Sequence, residues 1–150
     1  MAQVTSDKSQ TPAVTIDARG PRFGAAITTV VLAVALATQS FEVIAFQAIV
    51  FGIGAIKGPQ FTPYAAIYRK FVRPRLKGEV PVEDVRPPQF AQKVGLGFAV
   101  IAVAGLIADL TPVFVVATGF ALAAAFLNAA FDYCLGCEIY LLLLRFKSRK

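Results

Sequence analysis

Val113 to Phe131 reads VFVVATGFALAAAFLNAAF, 19 residues without a charge and with one amide, Asn128. An uncharged apolar helix of about 20 residues matches the hydrocarbon thickness of a bilayer. A helix on a soluble bundle would carry a polar face, and this one has none. Three further runs share its character. Gly24 to Thr38 has no charge, Phe41 to Ile56 is broken only by Glu42 and Gln47, and Val94 to Ala108 is apolar throughout. The first two sit near the lower length limit for a span. They need flanking residues such as Pro21 to Phe23, or a locally thin bilayer.

The whole chain agrees with this stretch. Of 150 residues 57% are hydrophobic and 16% charged, with mean hydropathy +0.65. A soluble domain of this size cannot hide that much apolar surface. A large soluble enzyme, a disordered chain and a disulfide-stapled secreted domain are excluded. The fold class expected is an all-α membrane protein. It has four transmembrane helices as two tandem helical hairpins, each followed by an interfacial amphipathic segment. Residues 1–18 read as a flexible cytoplasmic tail and 19–150 as a single membrane domain. A cleavable signal ending at Ala35-Leu36-Ala37 is the competing reading of the first run. It would remove half a hairpin.

Charge sets the expected orientation. All 15 Lys and Arg residues lie in the N-terminal stretch up to and including Arg22, from Lys57 to Lys93, or from Arg145 onward. The hairpin tips near Gln39–Phe41 and Asp109–Thr111 carry none, and hold Glu42 and Asp109. Cytoplasmic loops collect basic residues, so N- and C-termini and the central loop are expected in the cytoplasm of a multi-pass protein of the plasma (inner) membrane. Thr111 is a candidate helix cap ahead of Pro112. The segments Pro63–Arg75 and Ile139–Lys150 mix aromatic and basic residues, which suits headgroup depth.

The halves resemble each other. Arg19-Gly-Pro-Arg-Phe23 opens one hairpin and Arg86-Pro-Pro-Gln-Phe90 the other. Ile67-Tyr68-Arg-Lys-Phe71 follows the first, and Ile139-Tyr140 to Arg145-Phe146 the second. Repeat one spans 19–75 and repeat two 86–147, parallel because each holds an even number of spans. Two small-residue stripes, Ala25-Thr29-Ala33-Ala37 and Ala117-Ala121-Ala125-Ala129, are expected to pack within the chain.

Cys134-Leu-Gly-Cys137 is the constellation that could carry chemistry. Two cysteines at this spacing can close a disulfide, exchange thiols or capture a metal. Without any His, and with only Asp132 and Glu138 nearby, a closed metal site lacks ligands, so no metal is expected. Haem attachment fails because residue 138 is Glu. Four readings stand: a redox or sulfur-handling dithiol, a bound metal shared with a partner, acylation, and small residues at a helix end. Cys134 and Cys137 are the candidate catalytic pair, with Asn128, Asp132 and Glu138 as nearby polar groups. If the helix continues, Cys134, Cys137 and Glu138 share a face, and Asn128 and Asp132 form a pair one turn earlier. By the habit of such motifs Cys134 is the nucleophile. Asp132 and Glu138 disfavour its thiolate. Aligning Tyr68 with Tyr140 sets Thr62-Pro-Tyr-Ala65 opposite Cys134–Cys137, so the first half has no dithiol.

The opening at 19–23, the Pro-Pro-Gln-Phe-Ala-Gln run at 87–92, and Asn128 through Cys134-Leu-Gly-Cys-Glu138 resemble a family of uncharacterised bacterial (actinobacterial) membrane proteins, a domain of unknown function with this C-terminal Cys-Leu-Gly-Cys-Glu motif. The resemblance spans residues 15–147. It implies no fixed activity, only an association with thioredoxin-like and sulfur-transfer proteins.

The function expected is an integral membrane protein whose cytoplasm-facing dithiol serves thiol redox or sulfur transfer. Its partners would be the lipid bilayer and a thioredoxin-like or sulfurtransferase protein, with no cofactor. The alternatives are an accessory subunit of a larger membrane complex and a lipid or small-molecule carrier. Gln47 and Asn128 are too few deep polar residues for an ion path. Nucleic-acid motifs are absent.

Overall fold

A computed structural model describes residues 15–76, 78–79 and 81–149. The described chain is mostly helical. Three helices, α1 (Arg19–Thr38), α4 (Arg86–Ile107) and α5 (Thr111–Phe131), are long and apolar enough to cross a membrane. The helix α2 (Phe41–Ile56) is equally apolar but only 16 residues long.

Short turns join these helices in pairs, and local chemistry explains each turn. Gln39 ends α1 in the left-handed region (φ 52°), and the Ser40 hydroxyl accepts the Val43 N–H at 3.3 Å to start α2. Asp109 (φ 59°) does the first job between α4 and α5. Thr111 is not the cap expected there. It is already helical and Leu110 precedes it without a side-chain cap. Leu110 N–H instead returns to the Gly105 carbonyl at 2.7 Å and satisfies the end of α4 through the backbone.

The four helices enclose one core. Helix α2 packs along α4, α1 along α5, and α4 along α5, with a slighter α1–α2 contact. Leu32, Ile44, Phe51, Ala102, Phe114 and Ala117 meet at its centre. Outside it, Val30, Ile49, Val100, Phe120 and Phe126 are exposed. The second small-residue stripe points inward, with Ala117 and Ala121 buried. The first does not: Ala33 and Ala37 are exposed, and the buried line runs Ala25, Thr28, Leu32, Ala35. A helix repeats every 3.6 residues, so a strict four-residue stripe drifts around the axis and only a 3/4 alternation stays on one face.

The segments outside the bundle are more ordered than expected. Thr15–Asp17, read as the end of a flexible tail, forms β1 and pairs antiparallel with β2 (Val82–Asp84), with Ile16 opposite Glu83. A three-residue strand gives little periodicity, and its partner lies 67 positions away in the register. The rest of that tail, and residues 77, 80 and 150, lie outside the described residues. After α2, Gly58 (φ +122°) breaks the helix and Pro59–Phe61 make a 3-10 turn. The helix α3 (Pro63–Ile67) follows and runs on through a π turn and a 3-10 turn to Arg75. Helix α6 (Leu135–Arg149) closes the chain, starting four residues before the interfacial segment expected at Ile139.

The two halves repeat a set of local contacts. The Asp17 carboxylate accepts the backbone N–H and Nε–H of Arg19 at 3.0 and 3.1 Å, and Asp84 accepts the same two groups of Arg86 at 2.8 and 3.0 Å. Phe23 and Tyr68 have ring centroids 5.6 Å apart at 48°, and Phe90 and Tyr140 lie 5.5 Å apart at 48°. Arg22 Nε donates to the Ala129 carbonyl near the end of α5, and Gln89 Nε2 to the Ala55 carbonyl near the end of α2.

Candidate functional site

The dithiol lies where α5 stops and α6 starts. Asp132 takes the left-handed conformation (φ 55°) and its N–H returns to the Asn128 carbonyl at 3.1 Å, which ends α5. The helix therefore does not continue through the cysteines. Asn128 and Asp132 are linked through the backbone rather than as neighbours on a helix face, and Asp132 itself is exposed. Cys134 belongs to the next helix, immediately ahead of its first residue.

Cys134 has the position and contacts of a helix cap. Its sulfur accepts the Cys137 N–H at 3.1 Å, and its carbonyl accepts the Glu138 N–H at 3.0 Å. The two cysteines have Cα atoms 5.1 Å apart and their sulfurs are joined. Both are half-buried, whereas Glu138 is exposed in the first turn of α6. The start of a helix presents N–H groups and the positive end of the macrodipole, which stabilises a thiolate. The sequence set Asp132 and Glu138 against activation and did not show that a new helix starts at the motif, which supplies this opposing influence. The signal was present in Asp132-Tyr-Cys, where a short polar residue can stop one helix and the next cap can start another.

Gly136 sets the distance between this site and α4. A Cβ at Gly136 would lie 2.5 Å from the Ala91 Cβ and 2.6 Å from its Cα. No side chain fits there, so Gly136 lets the first turn of α6 lie directly on α4. Below it Tyr140 packs on Phe90. The rest of α6 projects free of the bundle, with Leu141 to Leu144 and Phe146 exposed.

A third carboxylate acts on the region. Burial raises the Glu83 carboxyl above its ordinary range, and the charges of Asp132 and Asp84 push it further up. By contrast Asp84 is held low, first by the Arg86 hydrogen bond. Among the described residues no group of three His, Cys, Asp or Glu side chains converges with metal-site geometry.

A family model described as a domain of unknown function (DUF4395) matches residues 16–145. The chain belongs to the DUF4395 family. The matched region runs from β1 into α6 and contains the dithiol. No curated protein and no solved structure matches the chain.

The corresponding place in the first half holds a polar pair that sequence reasoning did not connect. Thr62 caps α3, its hydroxyl accepting the Ala65 N–H at 3.2 Å, just as Cys134 caps α6. Two residues on, the Tyr64 hydroxyl donates to Gln47 Oε1 at 2.6 Å, with both side chains buried. Burial pushes the Tyr64 phenol up to about 12, so it stays a protonated donor. Gln47 was visible as a lone amide in an apolar run. Its partner lies 17 residues away across a break in the chain, which no local pattern reveals.

Proposed function

We propose that this chain is a four-span integral membrane protein of the plasma membrane, built from two tandem repeats, 19–75 and 86–147. In this reading its termini and dithiol face the cytoplasm, and the dithiol exchanges electrons or sulfur with a thioredoxin-like or sulfurtransferase partner. The observation that carries the reading is the seat of Cys134: a half-buried sulfur at a helix start, receiving the Cys137 N–H. The short helix α2 crosses by drawing on a thin bilayer and on its flanks. The exposed apolar faces of α1, α4 and α5 then lie against lipid.

The reaction begins with the disulfide. A thiolate of the partner attacks one sulfur, a mixed disulfide forms, and the other sulfur leaves as a thiolate. A second partner thiol then attacks the mixed disulfide, which oxidises the partner and leaves Cys134 and Cys137 reduced. The helix start lowers the cost of the Cys134 thiolate in the one step that expels it.

One observation favours a second reading, that of an accessory subunit in a larger membrane complex. Thr62 makes the same capping contact as Cys134 in a half without a dithiol, so that contact serves structure by itself. Single Cys134→Ser and Cys137→Ser variants in native membranes separate the two. Thiol exchange predicts a covalent mixed disulfide or persulfide on the remaining cysteine of one variant. If neither traps anything and the double variant assembles and supports growth like the parent, the thiol reading is wrong.

A further inference from the structure

A cavity of about 420 Å³ opens in the first half, between β1, the first turns of α1 and the segment from Pro59 to Arg73. That size lies within the usual range for small-molecule pockets, about 300–1,000 Å³. Its wall on α1 is Gly20, Gly24 and Thr28, spaced by four residues on one helix face. Tyr68 and Tyr64 stand opposite, and a Cβ on Gly20 or Gly24 would meet them at 3.8 and 3.9 Å. The cavity owes its volume to these missing side chains.

The lining is polar at one end and apolar at the other. Arg69 and Arg73 supply two guanidinium groups against one carboxylate, Asp17. That carboxylate is already engaged by Arg19 at 3.1 Å and by the Tyr68 hydroxyl at 2.8 Å, and Arg73 stands back at 3.9 Å. Among the described residues no carboxylate pairs with Arg69, whose guanidinium donates to the Gln60 carbonyl at 2.6 Å. Farther in, Gln60 and Gln92 line the cavity, and their amide oxygens are buried against Gly58 and Gly54 without a hydrogen-bond partner among the described residues. Leaving a buried polar atom unpaired is costly, and an occupant with hydroxyl groups would recover that cost once the amides turn toward it. The amides can also turn over and donate. Beyond them Val50 and Thr28 carry the cavity into the apolar helices α2 and α1.

We propose that this cavity binds the head of an anionic phospholipid, its phosphodiester on Arg69 and Arg73 and its headgroup hydroxyls on Gln60 and Gln92. The apolar end receives the start of the acyl chains. A phosphate shares its chemistry with soluble esters, but the passage from a charged rim to Val50 fits a molecule with one charged and one apolar end. The inference rests on the membrane reading of the chain and is independent of the dithiol.

The test uses the full chain in detergent micelles with fluorescently labelled phosphatidylglycerol, and labelled phosphatidylcholine as the neutral reference. Wild type should bind phosphatidylglycerol at least about tenfold more tightly, because phosphatidylcholine sets beside the same phosphodiester a trimethylammonium that the two guanidiniums repel and that offers the amides no hydroxyl. Arg69→Gln/Arg73→Gln should erase that preference. Gly24→Leu should fill the cavity and abolish binding, and circular dichroism tells whether it folds. If it does not, the Arg69→Gln/Arg73→Gln result decides alone. Cys134→Ser/Cys137→Ser should bind like wild type, which keeps failure of the thiol reading separate. Equal binding of the two lipids, or an unchanged preference in Arg69→Gln/Arg73→Gln, would overturn the proposal. So would displacement of the lipid by an equal concentration of glycerol phosphate, which would assign the pocket to a soluble ester.

Discussion

The junction after α2 and the junction after α5 use the same parts differently. In both, a capping side chain starts a helix, a Tyr packs on a Phe in the first turns of α1 or α4, and an Asp holds an Arg two residues on. The difference lies in where the small residue sits. The first junction sets Gly24 on α1 against Tyr64 on α3, with room between them. The second sets Ala91 on α4 against Gly136 on α6, with none. Moving the bulk from one helix to the other turns a spacious polar pocket into a tight contact. Its consequence is that the dithiol is fixed against the bundle, while the first half keeps a buried Tyr64–Gln47 hydrogen bond and a cavity. One arrangement of helices thus supports a tightly packed corner at the cysteine pair and a separate cavity.

The contact at Gly136 should show the largest effect when broken. Gly136→Leu places side-chain atoms into the α4 backbone, and overpacking of this kind costs about 1–3 kcal/mol or more. Thermal unfolding in detergent should fall steeply, and Cys137 should label faster with a maleimide after reduction. Ala91→Gly should restore only part of the loss for Gly136→Ala, because the Cα at position 91 would still stand 2.6 Å from the new Cβ. A Gly136→Leu protein with unchanged melting would show that the tight junction is not real.

The buried hydrogen bond gives a smaller and one-sided effect. The Gln47 Nε2 has no hydrogen-bond partner among the described residues, so Tyr64→Phe leaves that side chain with neither end paired, at a cost of about 1–3 kcal/mol, whereas Tyr140→Phe removes a hydroxyl that makes no hydrogen bond among the described residues. Melting temperatures should drop for the first and hold for the second. Equal drops would mean that the halves do not differ in this way.

The smallest effect depends on pH and belongs to Glu83, which pairs across the ribbon with Ile16. Burial and the neighbouring Asp132 and Asp84 raise its carboxyl. A carboxyl raised by folding contributes its stability fully below the unfolded value of about 4.3, and loses it as pH climbs through the folded value. Glu83→Gln should therefore melt higher than wild type at pH 7 to 8 and match it near pH 4, by less than Tyr64→Phe lowers the melting temperature. A gain that persists at pH 4 would remove ionisation as the cause.

How much of this was legible in the chain differs from residue to residue. The apolar runs at α1, α4 and α5 were, because hydropathy is a sum over neighbours and needs no partner. So was the turn at Gln39–Ser40, where polar residues interrupt two such runs and a hydroxyl can cap the second. The alignment of Thr62 with Cys134 was also readable, and the structure gives both the same capping contact. The Asp17–Arg19 and Asp84–Arg86 pairs span two residues each, yet they take on meaning only through the ribbon that brings β1 beside β2.

By itself the sequence determined that the chain is helical, strongly apolar and equipped with one Cys-x-x-Cys. These are properties of composition and of near neighbours, where chemistry and spacing suffice. Tertiary structure decided that Asp132 stops α5 and that Cys134 opens a new helix. It also set Gly136 on Ala91, linked Tyr64 to Gln47, and left a cavity beside Gly20 and Gly24. The last three depend on how closely two distant backbones approach. That distance is set by the side chains on both, and neither segment encodes it alone.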